Sequence, residues 1–182
     1  LGFAINQQHL NNKMPVINIT VNACSVMGHK VDETIRINDY YSFIRAVNHY
    51  LVKSGKQNMM FVNDNCTDFD KFRQELMSED YRTLVARACG DASLIESFGD
   101  SFNEQMNAVL IISEKEVSAA ACAEVRNLAL LTGKLGKNAS GIICLKEKNN
   151  SQGLFDMGIS PNYGVGSVPV NSQEYQSQIM EK

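Results

Sequence analysis

Long hydrophobic runs and clusters of basic residues are both missing from this sequence of 182 residues. No apolar stretch approaches the roughly 18 residues that a membrane-spanning helix needs, so we expect no direct insertion into a membrane. Lysine and arginine are scattered along the chain, and the formal net charge is −3. Because nucleic-acid-binding domains carry basic patches, the composition gives no indication of a nucleic-acid partner.

Metal-binding cysteine motifs are missing as well. The five cysteines and three histidines are widely spaced, and no Cys-x-x-Cys pair occurs. This spacing argues against an iron–sulfur cluster, a zinc site or a disulfide framework within the chain. The acidic group Asp64, Asp68 and Asp70 lacks the glycine and terminal glutamate of a calcium loop. We therefore predict idle or buried thiols in a reducing cytoplasm, with no metal ligands in this chain.

Hydrophobic patterns of two kinds alternate along the chain, and together they predict an α/β protein. β-Branched residues alternate with polar ones over residues 15–21, which indicates a strand. Residues 39–52 have apolar positions at helical spacing, with Asp39 as a capping residue. Shorter strands are predicted over residues 34–37 and 141–145, and further helices over residues 1–10, from 67 onwards, 81–89 and 92–106.

Residues 108–112 form a continuous apolar run, which we interpret as a central parallel strand covered by helices on both sides. A helix over residues 116–132 follows, and Gly133 stands where a left-handed C-terminal cap is favoured. The predicted fold is α/β in three layers, a mostly parallel sheet with helices on both faces, as in Rossmann-like folds. We predict this α/β domain over residues 1–136, then a loop-rich extension with a terminal helix over residues 137–182.

Motifs in the last third of the chain resemble one known family. Residues 127–136 read Asn-Leu-Ala-Leu-Leu-Thr-Gly-Lys-Leu-Gly, and residues 149–158 read Asn-Asn-Ser-Gln-Gly-Leu-Phe-Asp-Met-Gly. Their order and spacing are similar to a segment of molybdopterin oxidoreductases, in which a helix ending in Leu-Thr-Gly-x-x-Gly precedes an Asn-Asn-x-Gln-Gly loop. Residues 161–170 and 40–51 are similar to two further segments of that family.

The resemblance implies an internal domain of the large subunit of an electron-transferring oxidoreductase, either formate dehydrogenase-like or, as in the NADH dehydrogenase of complex I, complex I-like. In that family the matching domain holds one arm of a bis-molybdopterin guanine dinucleotide. The metal ligand and the iron–sulfur cysteines lie in earlier parts of the subunit. The implied partners are the remaining domains of the parent subunit and other subunits of a redox complex.

Eight residues are candidates for contacting that dinucleotide, because they lie at predicted strand ends or in the matching loop. They are Thr20, Asn22, Ser113, Glu114, Lys146, Asn149, Asn150 and Gln152. Cofactor-binding members carry Asp-Pro-Arg at the first strand end and Trp-Gly-x-Gly at the next, where this chain has an uncharged segment and Glu114. An arginine of the family's loop is Lys146 here, and lysine does not reproduce a bidentate phosphate contact. These departures predict a degenerate cofactor site and a structural role.

Two alternatives remain open. The first is a true molybdopterin guanine dinucleotide-binding domain of an active formate dehydrogenase, with molybdenum or tungsten in the parent. The second is a free-standing nucleotide-binding regulatory domain without a redox role. The candidates also have plainer interpretations, since amide side chains often cap loops and Glu114 could simply belong to a solvated helix start.

Overall fold

The computed structural model describes residues 2–22 and 30–173. The chain divides into two compact units, one of residues 1–110 with 117–143 and one of residues 111–116 with 144–182. This division differs from a boundary at residue 136, which stays a prediction. In the part of the chain that the structure describes, no helix has the length and apolar character needed to cross a bilayer.

Four short strands pair in parallel. Strand β1 (Ile17–Thr20) pairs with β2 (Glu33–Arg36), with Ile17 opposite Glu33. Strand β3 (Val109–Ser113) pairs with β4 (Gly141–Leu145). The α/β class is confirmed, and within the described residues the strands form two separate two-stranded sheets.

Backbone hydrogen bonds at both ends of the β3–β4 pair establish its direction. The Gly141 N–H donates to the Ala108 carbonyl at 3.1 Å, and the Glu114 N–H donates to the Leu145 carbonyl at 3.0 Å. Because both strands advance together from one bond to the other, the pair is parallel. The carboxyl ends of β3 and β4 therefore lie at the same edge of their sheet.

Strand β3 differs from its prediction in burial. Its position is confirmed, but the expectation that helices cover both faces is wrong for the described residues, since Val109 is 50% and Ile111 is 38% exposed. Successive side chains of a strand point to opposite faces, so these two lie on one face. The apolar run therefore combines one exposed apolar face with one partly buried face.

The first unit is built around helix α2 (Tyr40–Lys53), which begins where the Asp39 carboxylate accepts a hydrogen bond from the Ser42 N–H. Of the four predicted apolar positions, Ile44, Val47 and Leu51 are buried, and Tyr40 in the first turn is half-buried. Polar residues between them are buried too, so the helix is enclosed on most sides. Its neighbours are α4 (Phe69–Ser78), α5 (Tyr81–Ala88), α6 (Ala92–Glu104) and α7 (Ala119–Leu131).

The remaining helices are shorter or less buried. The predicted helix at the start of the chain is present as α1 (Gly2–Asn12), whereas α3 (Met59–Asn65) was not predicted. Asn58 caps α3 by accepting from the Phe61 N–H at 3.1 Å. The second unit contains α8 (Ser151–Asp156) and a 3₁₀ turn at Val165–Ser167. Most of the helix predicted for the C-terminus lies outside the described residues.

A buried ionic cluster joins α2 to α7. The Arg45 guanidinium donates to Glu124 Oε1 at 3.0 Å and to Glu79 Oε1 at 2.6 Å. The Asn48 amide donates to Glu124 Oε2 at 2.8 Å, so both carboxylate oxygens of Glu124 are occupied. The side chains of Arg45 and Glu124 are only 9% and 7% exposed. Each charge is therefore compensated by the other and by hydrogen bonds, as a buried pair requires.

A second buried charge follows the end of α7. Gly133 adopts the predicted left-handed conformation (φ 65°), and Lys134 after it is 2% exposed. The Lys134 ammonium donates to the Asn103 carbonyl at 3.3 Å, in the last turn of α6, and lies 4.9 Å from the centre of the Phe102 ring. No carboxylate pairs with this ammonium among the described residues. Burial, assisted by repulsion from Lys137, lowers the pKa of Lys134 to about 8.

Candidate functional site

The parallel ends of β3 and β4 bring three of the predicted site residues into one place. Ser113 is the last residue of β3, Glu114 follows it, and Lys146 follows β4. Glu114 Oε2 lies 2.9 Å from Lys146 Nζ, and the two side chains are 43% and 40% exposed. The strand ends thus carry a solvent-accessible ion pair within the second unit.

The loop amides lie beyond β4 in the same unit. Asn150 precedes α8 but its side chain makes no capping hydrogen bond. Instead it lies over Gly153, where an added Cβ would collide with Asn150 Oδ1. The Gln152 amide donates to Asp156 Oδ1 at 2.8 Å, one helical turn away, and Asn149 is exposed. Gln152 therefore bonds within α8, and the Asn150 side chain lies against Gly153 of the same helix.

Thr20 and Asn22 lie in the first unit, at the end of β1. Thr20 is 5% exposed, and its hydroxyl oxygen accepts a hydrogen bond from the Asn22 N–H at 3.0 Å. The Thr20 carbonyl accepts from the Ile37 N–H at 3.0 Å. The hydroxyl and the carbonyl of Thr20 thus have partners within this unit, and Asn22 is exposed.

The β3–β4 edge is a poor fit for the pyrophosphate of a molybdopterin guanine dinucleotide. A phosphate cradle needs backbone N–H groups that a ligand can approach closely, and glycines usually provide that access. Here Ser113 leads into Glu114 and Lys115, which all carry side chains. The ammonium of Lys146 at the β4 end is already neutralised by the Glu114 carboxylate.

A second group of polar residues, which lines a cavity in the first unit, was not predicted from the sequence. A cavity of about 310 Å³ lies where α3, α4 and α7 meet, and Arg126 and Asn127 of α7 line it. The available signal was the polar pair that precedes the apolar Leu-Ala-Leu-Leu end of α7.

No protein-family model matches the chain, but several curated proteins do. The F420-dependent formate dehydrogenase 1 subunit alpha of Methanococcus maripaludis is 24% identical over 138 residues, covering 72% of this chain and 20% of that protein. The F420-dependent formate dehydrogenase subunit alpha of Methanocaldococcus jannaschii is 26% identical over 126 residues, covering 66% and 19%. Formate dehydrogenase H of Escherichia coli is 22% identical over 160 residues, covering 79% and 22%.

The chain spans about a fifth of the length of these three relatives. The predicted resemblance is confirmed on its formate dehydrogenase side, and the likeness to complex I stays a prediction. Over about two thirds or more of its residues, this chain is similar, at 22–26% identity, to formate dehydrogenase proteins, two of which are alpha subunits.

Proposed function

We propose that the chain is a domain of the large subunit of a formate dehydrogenase-like oxidoreductase, and that its strand-end site no longer holds a molybdopterin guanine dinucleotide. Its role in this proposal is structural: it packs against the remaining domains of the parent subunit and supports contacts with partner subunits. The 2.9 Å pair of Glu114 with Lys146 is the observation that carries the proposal. It occupies the edge where an open parallel sheet would otherwise receive a ligand.

Electrostatic magnitudes support this interpretation. Two like charges 4 Å apart repel by about 1 kcal/mol in water and about 4 kcal/mol near a protein surface. Because each 1.4 kcal/mol corresponds to about a tenfold change in affinity, one misplaced carboxylate weakens phosphate binding by about fivefold at the first value and by several hundredfold, roughly, at the second. Glu114 is partly exposed, so we place the effect at the lower end of that range.

The alternative is an intact dinucleotide site in an active formate dehydrogenase. It is favoured by the names of the relatives, which are formate dehydrogenases. In this alternative Lys146 would leave Glu114 to bind phosphate, while Ser113 and Asn149 would donate hydrogen bonds to the ligand. The two proposals differ in one measurable property, the affinity of the β3–β4 edge for a guanine nucleotide.

Guanosine diphosphate is the probe for this difference, since it carries the guanine and the pyrophosphate of the dinucleotide. We expect no saturable shift of the Ser113 and Asn149 amide signals in two-dimensional NMR at about 1 mM probe. Glu114→Gln removes the repulsion of the carboxylate, so this variant should bind measurably more tightly than the unmodified chain. The matched control is Glu116→Gln, which removes the same charge two residues further on and should change nothing.

Binding of guanosine diphosphate by the unmodified chain would contradict the proposal. Saturable binding by the unmodified chain, centred on Ser113 and Asn149 with a dissociation constant below about 0.1 mM, would favour the intact site. Equal effects of the two glutamate substitutions would show that net charge, rather than the Glu114–Lys146 pair, controls the response.

A further inference from the structure

The cavity in the first unit has an apolar floor. Phe69 and Phe72, three residues apart on α4, form one side, and Leu130 and Leu131 of α7 form the other. The floor continues into the buried cluster of Val52, Leu76 and Leu131, against which Phe69 and Phe72 pack. Its volume of about 310 Å³ is at the lower end of small-molecule sites, which span roughly 300–1,000 Å³.

The rim of the same cavity is polar and carries a cation. Arg126 lines it from α7, is exposed, and has no carboxylate partner among the described residues. Asn65 and Asn127 also line it, and each uses its amide N–H in a local bond, to the Phe61 carbonyl at 3.0 Å and to Glu124 at 3.4 Å. The Thr67 hydroxyl adds a group that can donate or accept.

One group opposes Arg126. Asp68, which precedes α4 with φ 58°, also lines the cavity, and its carboxylate makes no capping hydrogen bond to the helix. An anion in the cavity is therefore attracted by Arg126 and repelled by Asp68. Because the two charges come from different elements, each can be removed separately, and their removal should shift anion affinity in opposite directions.

We propose that this cavity binds a small amphipathic anion, a compact aromatic or aliphatic body that carries one carboxylate or phosphate. The body packs between Phe69, Phe72 and Leu130, and the anionic group lies at the Arg126 end of the rim. Arginine is suited to this task because its planar guanidinium pairs with two oxygens of either anion at once. The inference concerns the first unit alone and does not depend on the strand-end proposal.

The test uses the full chain and four probes: benzoate, phenyl phosphate, benzamide and inorganic phosphate. We expect benzoate or phenyl phosphate to shift the amide signals of Phe72 and Arg126 saturably, with a dissociation constant of about 1 mM. Comparison of these two separates a carboxylate site from a phosphate site. Benzamide has the ring without the charge, and inorganic phosphate has the charge without the ring, so both should bind about tenfold more weakly or not at all.

Three substitutions complete the test. Arg126→Gln should weaken benzoate binding about tenfold, because it removes the attracting charge. Asp68→Asn should strengthen binding severalfold, because it removes the repelling charge. Asparagine also tolerates the left-handed conformation of this position, so the backbone should not change. Arg87→Gln removes an exposed arginine of α5 that does not line the cavity and should leave affinity unchanged. The proposal is overturned if no aromatic anion binds saturably, if benzamide binds equally well, or if Arg126→Gln and Arg87→Gln behave alike. Should Arg126→Gln unfold, the sign of the Asp68→Asn effect decides.

Discussion

Replacement of Arg45 by methionine is expected to lower the free energy of unfolding by about 3–5 kcal/mol, because it leaves the Glu124 carboxylate buried without its cation. Glu124 is 5% exposed, and the side chains that still donate to it are then the neutral amides of Asn48 and Asn127. A neutral amide cannot replace the charge of a guanidinium at 3.0 Å. Urea denaturation at neutral pH, followed by circular dichroism, measures the change.

The double variant Arg45→Met, Glu124→Met separates a lost attraction from an uncompensated charge. Removing both partners should restore most of the stability, because buried pairs can often be exchanged for apolar side chains at little net cost. Arg87→Met, which removes an exposed arginine, should change the free energy by no more than about 0.5 kcal/mol. A loss below about 1 kcal/mol for Arg45→Met would contradict the buried cluster.

Stability should rise with pH between about 8 and 10 because of Lys134. The pKa of its buried ammonium is about 8 in the folded chain, below the ordinary lysine value of 10.5. Between these values the unfolded chain binds more protons than the folded one, so the free energy of unfolding increases with pH. Below pH 8 both states are charged and the full burial penalty remains. The whole effect, from a pKa shift of this size, is on the order of 3 kcal/mol.

Tyr81 sets the upper limit of the pH range over which stability rises. Burial raises its pKa to about 12, so deprotonation of the unfolded chain from pH 10 upward lowers stability again. Melting temperatures from pH 7 to 10 should therefore rise in the unmodified chain and rise much less in Lys134→Met. The exposed-lysine control, Lys71→Met, should keep the full dependence. Identical pH profiles for Lys134→Met and Lys71→Met would rule out a buried ammonium.

Local sequence patterns predicted where helices and strands lie better than they predicted which residues those elements contact. The stripe of α2, the Asp39 cap and the left-handed Gly133 all depend on residues within a few positions, and the structure confirms them. The exposure of Val109 depends on which segments cover β3, and a run of apolar residues does not determine which segments those are. The same holds for the bond between Arg45 and Glu124, which are 79 positions apart.

Features of the candidate site that depend on nearby residues could also be predicted, whereas features that depend on tertiary packing could not. Parallel strands end at one edge, which brings Ser113, Glu114 and Lys146 together; the sequence marked them only as members of a larger set of candidates. The bond from Gln152 to Asp156 has the four-residue spacing of a helical pair and was readable from the sequence. The cavity beside Arg126 was not, because it requires three helices to meet at a particular angle and distance.

The cofactor content of the longest natural polypeptide that contains this sequence tests whether the β3–β4 edge has lost its dinucleotide. Molybdenum and tungsten are measured by mass spectrometry, the pterin by the fluorescence of its oxidised form, and its position in the protein by structure determination. We expect that no molybdopterin guanine dinucleotide contacts the β3–β4 edge and that Glu114 remains paired with Lys146. A stoichiometric dinucleotide in contact with Ser113 or Asn149 would contradict it.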